Sequence, residues 1–224
     1  MQISRRALVT SPALLPLLVL PACVGGTGFS LVEAIRRLLG LASQRAFASL
    51  LRENGFLDDQ VARISLPDAL GGTRGTSVIA AILGSSAFRN RLTKQLNRAA
   101  EKGAELAAPI VAEAVLGIGI PNAADIIRNG GSGATDLLKS AMGEKLLTTM
   151  LPGIDSGLKL FDNGVVTEAL RAATGIDFAG LRDDVTRKAS DGIYRAIARE
   201  EIAIRADPAS TNDPLLMGVF GLIK

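Results

Sequence analysis

Apolar side chains recur along most of the chain at intervals of three and four residues, which is the spacing of one face of an α-helix. The first such run covers residues 31–52 and is stopped by Asn54-Gly55. Residues 86–117, 132–150, 165–174 and 178–206 have the same period. The pattern predicts an all-α fold, a single orthogonal or irregular bundle of about six to eight helices.

Prolines divide this pattern further. Pro109 lacks a backbone N–H and is expected to bend or break the helix at 86–117. Pro121 is typical of the first turn of a short helix ending at Asn129-Gly130, and Asp213-Pro214 of the start of a final helix. Two stretches are not helical in period. Alternating apolar and polar residues favour one short extended segment at 61–66, and the glycine-rich residues 71–77 favour a loop.

Two long helices place polar residues within their apolar faces. At about 100° per residue, Asn97 lies inside the apolar arc of the first and Glu101 at its border. In the second, Glu200 lies near the centre of the arc and Glu201 on the opposite side. Because a buried carboxylate is costly without a partner, Glu200 is expected to meet an arginine or amide, or to be protonated.

These residues define a candidate buried polar cluster, which consists of Asn97, Arg98, Glu101, Glu200, Arg205 and Arg63. Two interpretations remain open. The cluster could be an internal polar tie that fixes helix register. Alternatively, Asn97, Glu200 and an arginine such as Arg63, Arg98 or Arg128 could line a polar binding pocket.

The N-terminus has the parts of an export signal. Arg5 and Arg6 precede an apolar run that ends at Leu20, and Ala22 stands directly before Cys23, the single cysteine of the chain. The order predicts a lipoprotein signal at residues 1–22, possibly of the twin-arginine type, then a lipidated tether at 23–30 and one helical domain at 31–224. The alternatives are an ordinary cleaved signal that leaves a free thiol, or an apolar terminus that is not cut.

Removal of that signal changes the charge of the chain. The full sequence has 25 basic and 22 acidic residues, and the first 22 residues contain two arginines and no acid. The mature chain would therefore have 23 basic against 22 acidic residues. A nearly neutral chain with 4% aromatic residues lacks the basic surface and stacking side chains of a nucleic-acid-binding protein.

The composition also excludes several chemistries. The chain contains no histidine, and its one cysteine is the predicted lipidation site. A Ser-His-Asp triad, a Cys-His pair, a Cys/His zinc site and a disulfide are therefore excluded. No catalytic residue, metal site or cofactor is predicted. The glycine-rich residues 130–135 open a helix and could cradle a phosphate, although no strand or Gly-Lys-Ser/Thr accompanies them, which favours an ordinary cap.

Several segments resemble, in order and spacing, the bacterial domain-of-unknown-function 4197 family. They are residues 54–57 (NGFL), 61–67 (VARISLP), 97–101 (NRAAE), 125–127 (DII) with Gly130, 134–136 (ATD) and 198–205 (AREEIAIR). The resemblance extends from about residue 29 to the C-terminus and departs from the family pattern at 71–85. It implies an exported, mostly helical domain without an assigned activity or catalytic residues.

Together these features predict a lipid-anchored protein of the bacterial envelope that faces the periplasm. Val24 after the cysteine is not acidic, which favours the outer membrane over the inner. The expected role is a non-enzymatic binding or structural module whose partner is the membrane together with another envelope protein or a small apolar ligand. The alternative is a carboxylate-dependent, hydrolase-type enzyme that uses Glu200 or Glu101 as acid or base.

Overall fold

The computed structural model describes residues 27–66, 85–159 and 177–221, together with the isolated positions Thr167, Arg171 and Gly175. Throughout these residues every regular element is a helix, and they contain no strand. The predicted all-α architecture is confirmed. The signal and tether at 1–26, the predicted loop at 71–77 and, apart from two single positions, the predicted helix at 165–174 lie outside the described residues.

The part of the chain described here forms eight α-helices and one 3₁₀ helix. They are α1 (Thr27–Leu50), α2 (Gly55–Asp58), α3 (Ser86–Gly117), α4 (Ala123–Arg128), α5 (Gly133–Met142), α6 (Lys145–Leu158), α7 (Phe178–Ala206), the 3₁₀ helix Pro208–Thr211 and α8 (Pro214–Phe220). The bounds of α3 and α7 agree with the prediction. Helix α1 was predicted at residues 31–52 and instead begins at Thr27 and ends at Leu50. No helix in these ranges is both long and apolar enough to cross a membrane.

The most extensive helix contacts in the bundle are those of α3 with α6 and of α1 with α7. Small residues allow α3 and α6 to approach closely. A Cβ atom added to Gly157 would lie 2.8 Å from the Cβ of Ala99, and one added to Gly153 would overlap the carbonyl of Lys102. The buried side chains are mostly those of Ala, Leu, Ile and Val, as the low aromatic content predicts.

Three further predicted helix limits are wrong. The short helix that was predicted to have Pro121 in its first turn begins at Ala123 instead, after Asn122 with a φ of +55°. The run at 132–150 is divided into α5 and α6, because Gly143 has a φ of +50° and ends α5. Pro109 does not end α3, which continues through it to Gly117. Pro109 and Glu105 are both exposed, so that water can bond the Glu105 carbonyl that the proline leaves without a donor.

The C-terminal helix is fixed at both ends. The carboxylate of Asp213 accepts hydrogen bonds from the backbone N–H groups of Leu215 and Leu216 at 2.8 and 3.2 Å, which is the predicted cap. The same carboxylate lies 3.1 Å from Nη1 of Arg37 on α1. Leu216 and Phe220 are buried, so that the apolar C-terminus packs against the core.

Candidate functional site

Glu201 on α7 is the most deeply buried charged residue of the described structure, with none of its surface exposed. Its Oε1 accepts from the backbone N–H of Ala134 at 3.1 Å, and its Oε2 from the backbone N–H and hydroxyl of Thr135 at 2.8 and 2.6 Å. Nε and Nη2 of Arg205 donate to Oε1 at 3.0 and 2.9 Å. Both carboxylate oxygens are therefore satisfied within the protein.

Arg205 extends this arrangement to two more helices. Its Nη2 donates to the carbonyl of Ile126 at 3.2 Å, and its Nη1 to that of Ile127 at 3.5 Å, near the C-terminal end of α4. Its guanidinium carbon lies 4.9 Å from the ring centre of Phe220 on α8. Glu201 and Arg205 together, here called the Glu201–Arg205 tie, connect α4, α5, α7 and α8.

The tie decides between the two interpretations of the glycine-rich residues 130–135. Ser132, which precedes α5, makes no capping hydrogen bond through its side chain. The Glu201 carboxylate accepts from the N–H groups at the start of α5, where a phosphate would otherwise bind, and its charge also suits the positive end of the helix dipole. The predicted ordinary cap is supplied by a distant residue, and an internal carboxylate occupies the phosphate position.

Asn97 on α3 forms a second tie, to residues 63–66. Its Oδ1 accepts from the backbone N–H of Ile64 at 2.8 Å, and its Nδ2 donates to the carbonyls of Ile64 and Thr93 at 3.0 and 2.8 Å. Asn97 is fully buried, as the helical wheel predicts. Because residues 63–66 belong to neither helix nor strand, the amide supplies the backbone partners that a sheet would have given Ile64.

Asp59 forms a third tie, between the end of α2 and α7. Its carboxylate accepts from the backbone N–H groups of Val61 and Ala62 at 2.9 and 3.0 Å, and lies 2.9 Å from Nη2 of Arg199. Burial opposes the charge on Asp59, but the Arg199 side chain and the two backbone donors outweigh it, so that the pKa of Asp59 lies below its ordinary value.

The helical wheel is wrong about Glu200 and Glu201. Glu201 is the buried residue, whereas the Glu200 side chain is 22% exposed and its carboxylate lies 3.6 Å from Nε of Arg199. The cause is the drift of the buried stripe along α7. The stripe advances by four residues at a time from Leu181 to Ile197, and each step turns it by about 40° around the helix. Different neighbours, namely α1, α3, α5 and α6, cover it along its length.

The six residues of the predicted cluster do not come together. Arg63 and Arg98 are exposed, and Glu200 is half-buried beside Arg199. Asn97 and Arg205 belong to two separate ties. Glu201 and Asp59 were not predicted to be buried. Glu201 lies on the predicted polar face of α7, and Asp59 lies in the turn after α2, to which a helical wheel does not apply.

Glu101 differs from the tie residues because its Oε1 is buried without a hydrogen-bond partner. Burial raises its pKa, against the hydrogen bond from the Phe56 backbone N–H and the charge of Arg98. A polar cavity of about 400 Å³ lies between the end of α1, α2 and α7, with Asp59 and Arg199 in its wall. Glu101 and Glu200 are not among its lining residues. Across the described ranges, no group of three acidic or cysteine side chains is placed to hold a metal ion.

A second cavity is an open groove between α1 and α3, with a volume of about 510 Å³. Its walls are Arg36, Arg37, Gly40, Ser43, Gln44 and Phe47 from α1 and Ala108, Ala112, Val115 and Leu116 from α3. Its surface is almost entirely apolar, and the side chain of Leu116 beside it is 73% exposed. No member of the three ties lines this groove.

Residues 27–221 match the family model described as "Protein of unknown function (DUF4197)". The chain belongs to this family. No curated protein and no solved structure shows significant similarity to it. Most residues of the ties in this DUF4197 protein lie in the segments on which the sequence resemblance rests, and Asp59 lies just outside them. Asn97 begins NRAAE, Ile64 lies in VARISLP, and AREEIAIR contains Arg199, Glu201 and Arg205.

Proposed function

We propose that this DUF4197 protein is a lipoprotein of the bacterial envelope whose helical domain is a non-enzymatic binding or structural module. The anchor would be Cys23, which follows an apolar run and Ala22, and the domain would face the periplasm. Outer-membrane residence is favoured by Val24 after the cysteine.

The non-enzymatic role is supported by the buried polar side chains, which bond to partners inside the protein. Asn97 and Glu201 satisfy backbone groups of a neighbouring segment, and Asp59 satisfies those of the turn that follows it. The two carboxylates also pair with arginines. A general acid or base must lie within reach of a substrate, and Glu201 has no exposed surface and has both carboxylate oxygens bonded by five donors of the protein. These residues therefore support a structural role.

The groove between α1 and α3 supports the binding role. Its volume lies in the range of small-molecule sites, and it is apolar with a few polar groups at its edge.

One observation favours the enzyme alternative. Burial raises the pKa of Glu101, the nearby Glu53 and Glu105 raise it further, and a carboxyl group of this kind can act as a general acid. Its test is a screen of the full chain against simple ester and glycoside substrates. Activity that Glu101→Gln abolishes and Glu105→Gln keeps would favour the enzyme, and absence of turnover would favour the module.

The experiment for the anchor uses cells that express the native chain and are supplied with labelled fatty acid. The native chain and a neighbouring control variant, Val24→Ala, should incorporate label and fractionate with membranes. Cys23→Ser should lose the label and be released or remain unprocessed. Protease added to spheroplasts should digest the domain if it faces the periplasm. An unlabelled native chain that fractionates like Cys23→Ser would contradict the proposal.

A further inference from the structure

The outward side of α3 carries a row of four exposed cations, here called the α3 stripe. They are Arg91, Lys94, Arg98 and Lys102. At about 100° and 1.5 Å per residue, they lie within an arc of about 80° and span about 17 Å of the helix. Residues 86–100 contain four basic residues and no acidic one, although the mature chain is predicted to be nearly neutral. Positive charge is therefore concentrated on this part of α3.

The cations of the α3 stripe are not used by the fold. Within the described ranges, none of the four forms an ion pair or a hydrogen bond through its side chain. Other cations of the bundle differ in this respect, since Arg37, Arg199 and Arg205 each meet a carboxylate of another segment or turn. The stripe therefore presents its full charge to solvent.

This arrangement opposes the stability of α3. Like charges three and four residues apart on a helix repel one another. The first turn of α3 contains no acidic residue, and the first acids along the helix are Glu101 and Glu105, beyond Arg98. Oε1 of Glu101 is buried, and Glu105 forms no ion pair with any described residue. Proteins depart from such local rules mainly at functional surfaces, and the unpaired charge here indicates an anionic partner.

The same outward side of α3 continues with large apolar side chains. Leu106, one turn after Lys102, is 43% exposed, and Leu116 is 73% exposed. Cations followed by exposed leucines suit the surface of a bilayer, where phosphates lie over acyl chains. A single-stranded nucleic acid would need aromatic side chains for stacking, and residues 89–102 contain none. The combination therefore favours a membrane over a nucleic acid.

The proposed anchor lies at the apolar end of this surface. Helices α1 and α3 run in opposite directions, because Phe56, shortly after the end of α1, donates its backbone N–H to Glu101 in the first half of α3. The start of α1 therefore lies toward Leu116. Three residues separate Cys23 from Thr27, which is at most about 14 Å of extended chain. A lipid on Cys23 would hold this end of the bundle close to the bilayer.

We propose that the α3 stripe binds the phosphate groups of an anionic phospholipid bilayer, with α3 lying along the membrane surface and Leu106 in contact with it. The inference takes the nearness of a bilayer from the proposed lipid anchor, but the binding itself requires no acyl group on the protein. Each lysine or arginine close to an anionic bilayer strengthens partition by about fivefold. Four such side chains on one helix face act together, and added salt screens their attraction.

The test measures co-sedimentation of the full Cys23→Ser chain with vesicles. One set contains phosphatidylcholine alone, and the other also contains about one-third phosphatidylglycerol. The substitution removes the acyl group, so that failure of the proposed anchor does not affect the result. Residues 1–26 are otherwise the same in every variant, and Arg5 and Arg6 contribute equally. At about 0.1 M salt the chain should partition at least tenfold more strongly onto the anionic vesicles, and this preference should shrink at about 0.5 M.

The variants separate the stripe from the net charge of the protein. Arg91→Gln combined with Lys94→Gln should reduce partition onto anionic vesicles at least tenfold. Arg187→Gln combined with Arg195→Gln, at exposed positions of α7, gives the same net charge and should retain most of the binding. Leu106→Gln should weaken partition severalfold at both salt concentrations, because apolar contact is not screened. Circular dichroism checks that each variant keeps its helices.

Three outcomes would overturn the proposal. One is equal partition of the parent onto neutral and anionic vesicles. Another is an equal loss in the stripe and α7 double variants when both are folded, because the effect would then follow net charge alone. The third is a stripe double variant that loses binding to heparin while parent and variant bind anionic vesicles alike. That result would assign the stripe to a soluble polyanion.

Discussion

Replacement of Glu201 tests how much the fold depends on its most deeply buried charge. Glu201→Ala removes the acceptor for Ala134 and Thr135 and leaves the Arg205 guanidinium, whose side chain is 9% exposed, without its counter-charge. Breaking one side of a buried ion pair costs about 3–5 kcal/mol. Glu200→Ala is the matched control, because Glu200 is a half-buried neighbour on the same turn, and a change of less than about 0.5 kcal/mol is expected there.

The expected change is large enough for a thermal melt. For a domain of about 200 residues, 1 kcal/mol shifts the Tm by roughly 2–4 °C, so Glu201→Ala should lower it by about 6–20 °C. Glu201→Gln keeps one acceptor oxygen and should fall between Glu201→Ala and the parent. Circular dichroism at the helical band follows unfolding, and guanidinium titration gives the free energy of unfolding.

A double-mutant cycle separates the ion pair from the helix cap. Replacement of both Glu201 and Arg205 by leucine removes the uncompensated charge, and buried ion pairs are often replaced by apolar residues at little cost. The double variant should be more stable than Glu201→Leu alone but less stable than the parent, since the N–H groups of Ala134 and Thr135 still lack their acceptor. Equal melting of Glu201→Ala and Glu200→Ala would refute this account of the tie.

Three further predictions concern other parts of the bundle. Asn97→Ala should lower the free energy of unfolding in urea by about 2–4 kcal/mol, because it leaves buried backbone groups without partners, and the exposed Arg98→Ala should have little effect. Asp59 has a folded pKa below its ordinary value of 3.8, so its stabilising effect is present above about pH 4 and is lost as the pH falls through the folded pKa. The difference in Tm between the parent and Asp59→Asn should therefore be present at pH 6 and shrink in acid, and a constant difference would contradict the assignment. Gly157→Ala should destabilise the contact of α3 and α6, whereas Gly40→Ala should raise the Tm, since it improves helix propensity by about 0.5–1 kcal/mol without a clash.

The helices and part of the polar interior follow from local sequence. The bounds of α3 and α7 could be predicted because their apolar residues keep one period between recognisable caps such as Ser85 and Asp177. The burial of Asn97 could be predicted because Leu96, Ala99 and Ala100 around it are buried on the same side of α3. In these places the local pattern and the tertiary neighbours agree.

The remaining features depend on how helices meet. Glu201 is buried because the N-terminus of α5 packs against the end of α7, and a wheel drawn for one helix contains no information about that neighbour. Asp59 is buried because Arg199, 140 residues away in the chain, lies beside it. The groove lies between α1 and α3 and has small residues such as Gly40, Ala108 and Ala112 in its walls, and the periodicity of either helix alone does not reveal it.

The ties stabilise the fold, whereas the groove leaves apolar surface open to solvent. The ties of Glu201, Asn97 and Asp59 connect chain segments outside the groove, and none of these residues lines it. The exposed Leu116 and the open space above Gly40 add nothing to the described core, since none of the described residues covers them. The apolar walls of the open groove are not buried against another element, and covering them would add stabilising free energy. This is the physical reason to place the proposed binding role at the groove and to assign the buried polar residues to the fold.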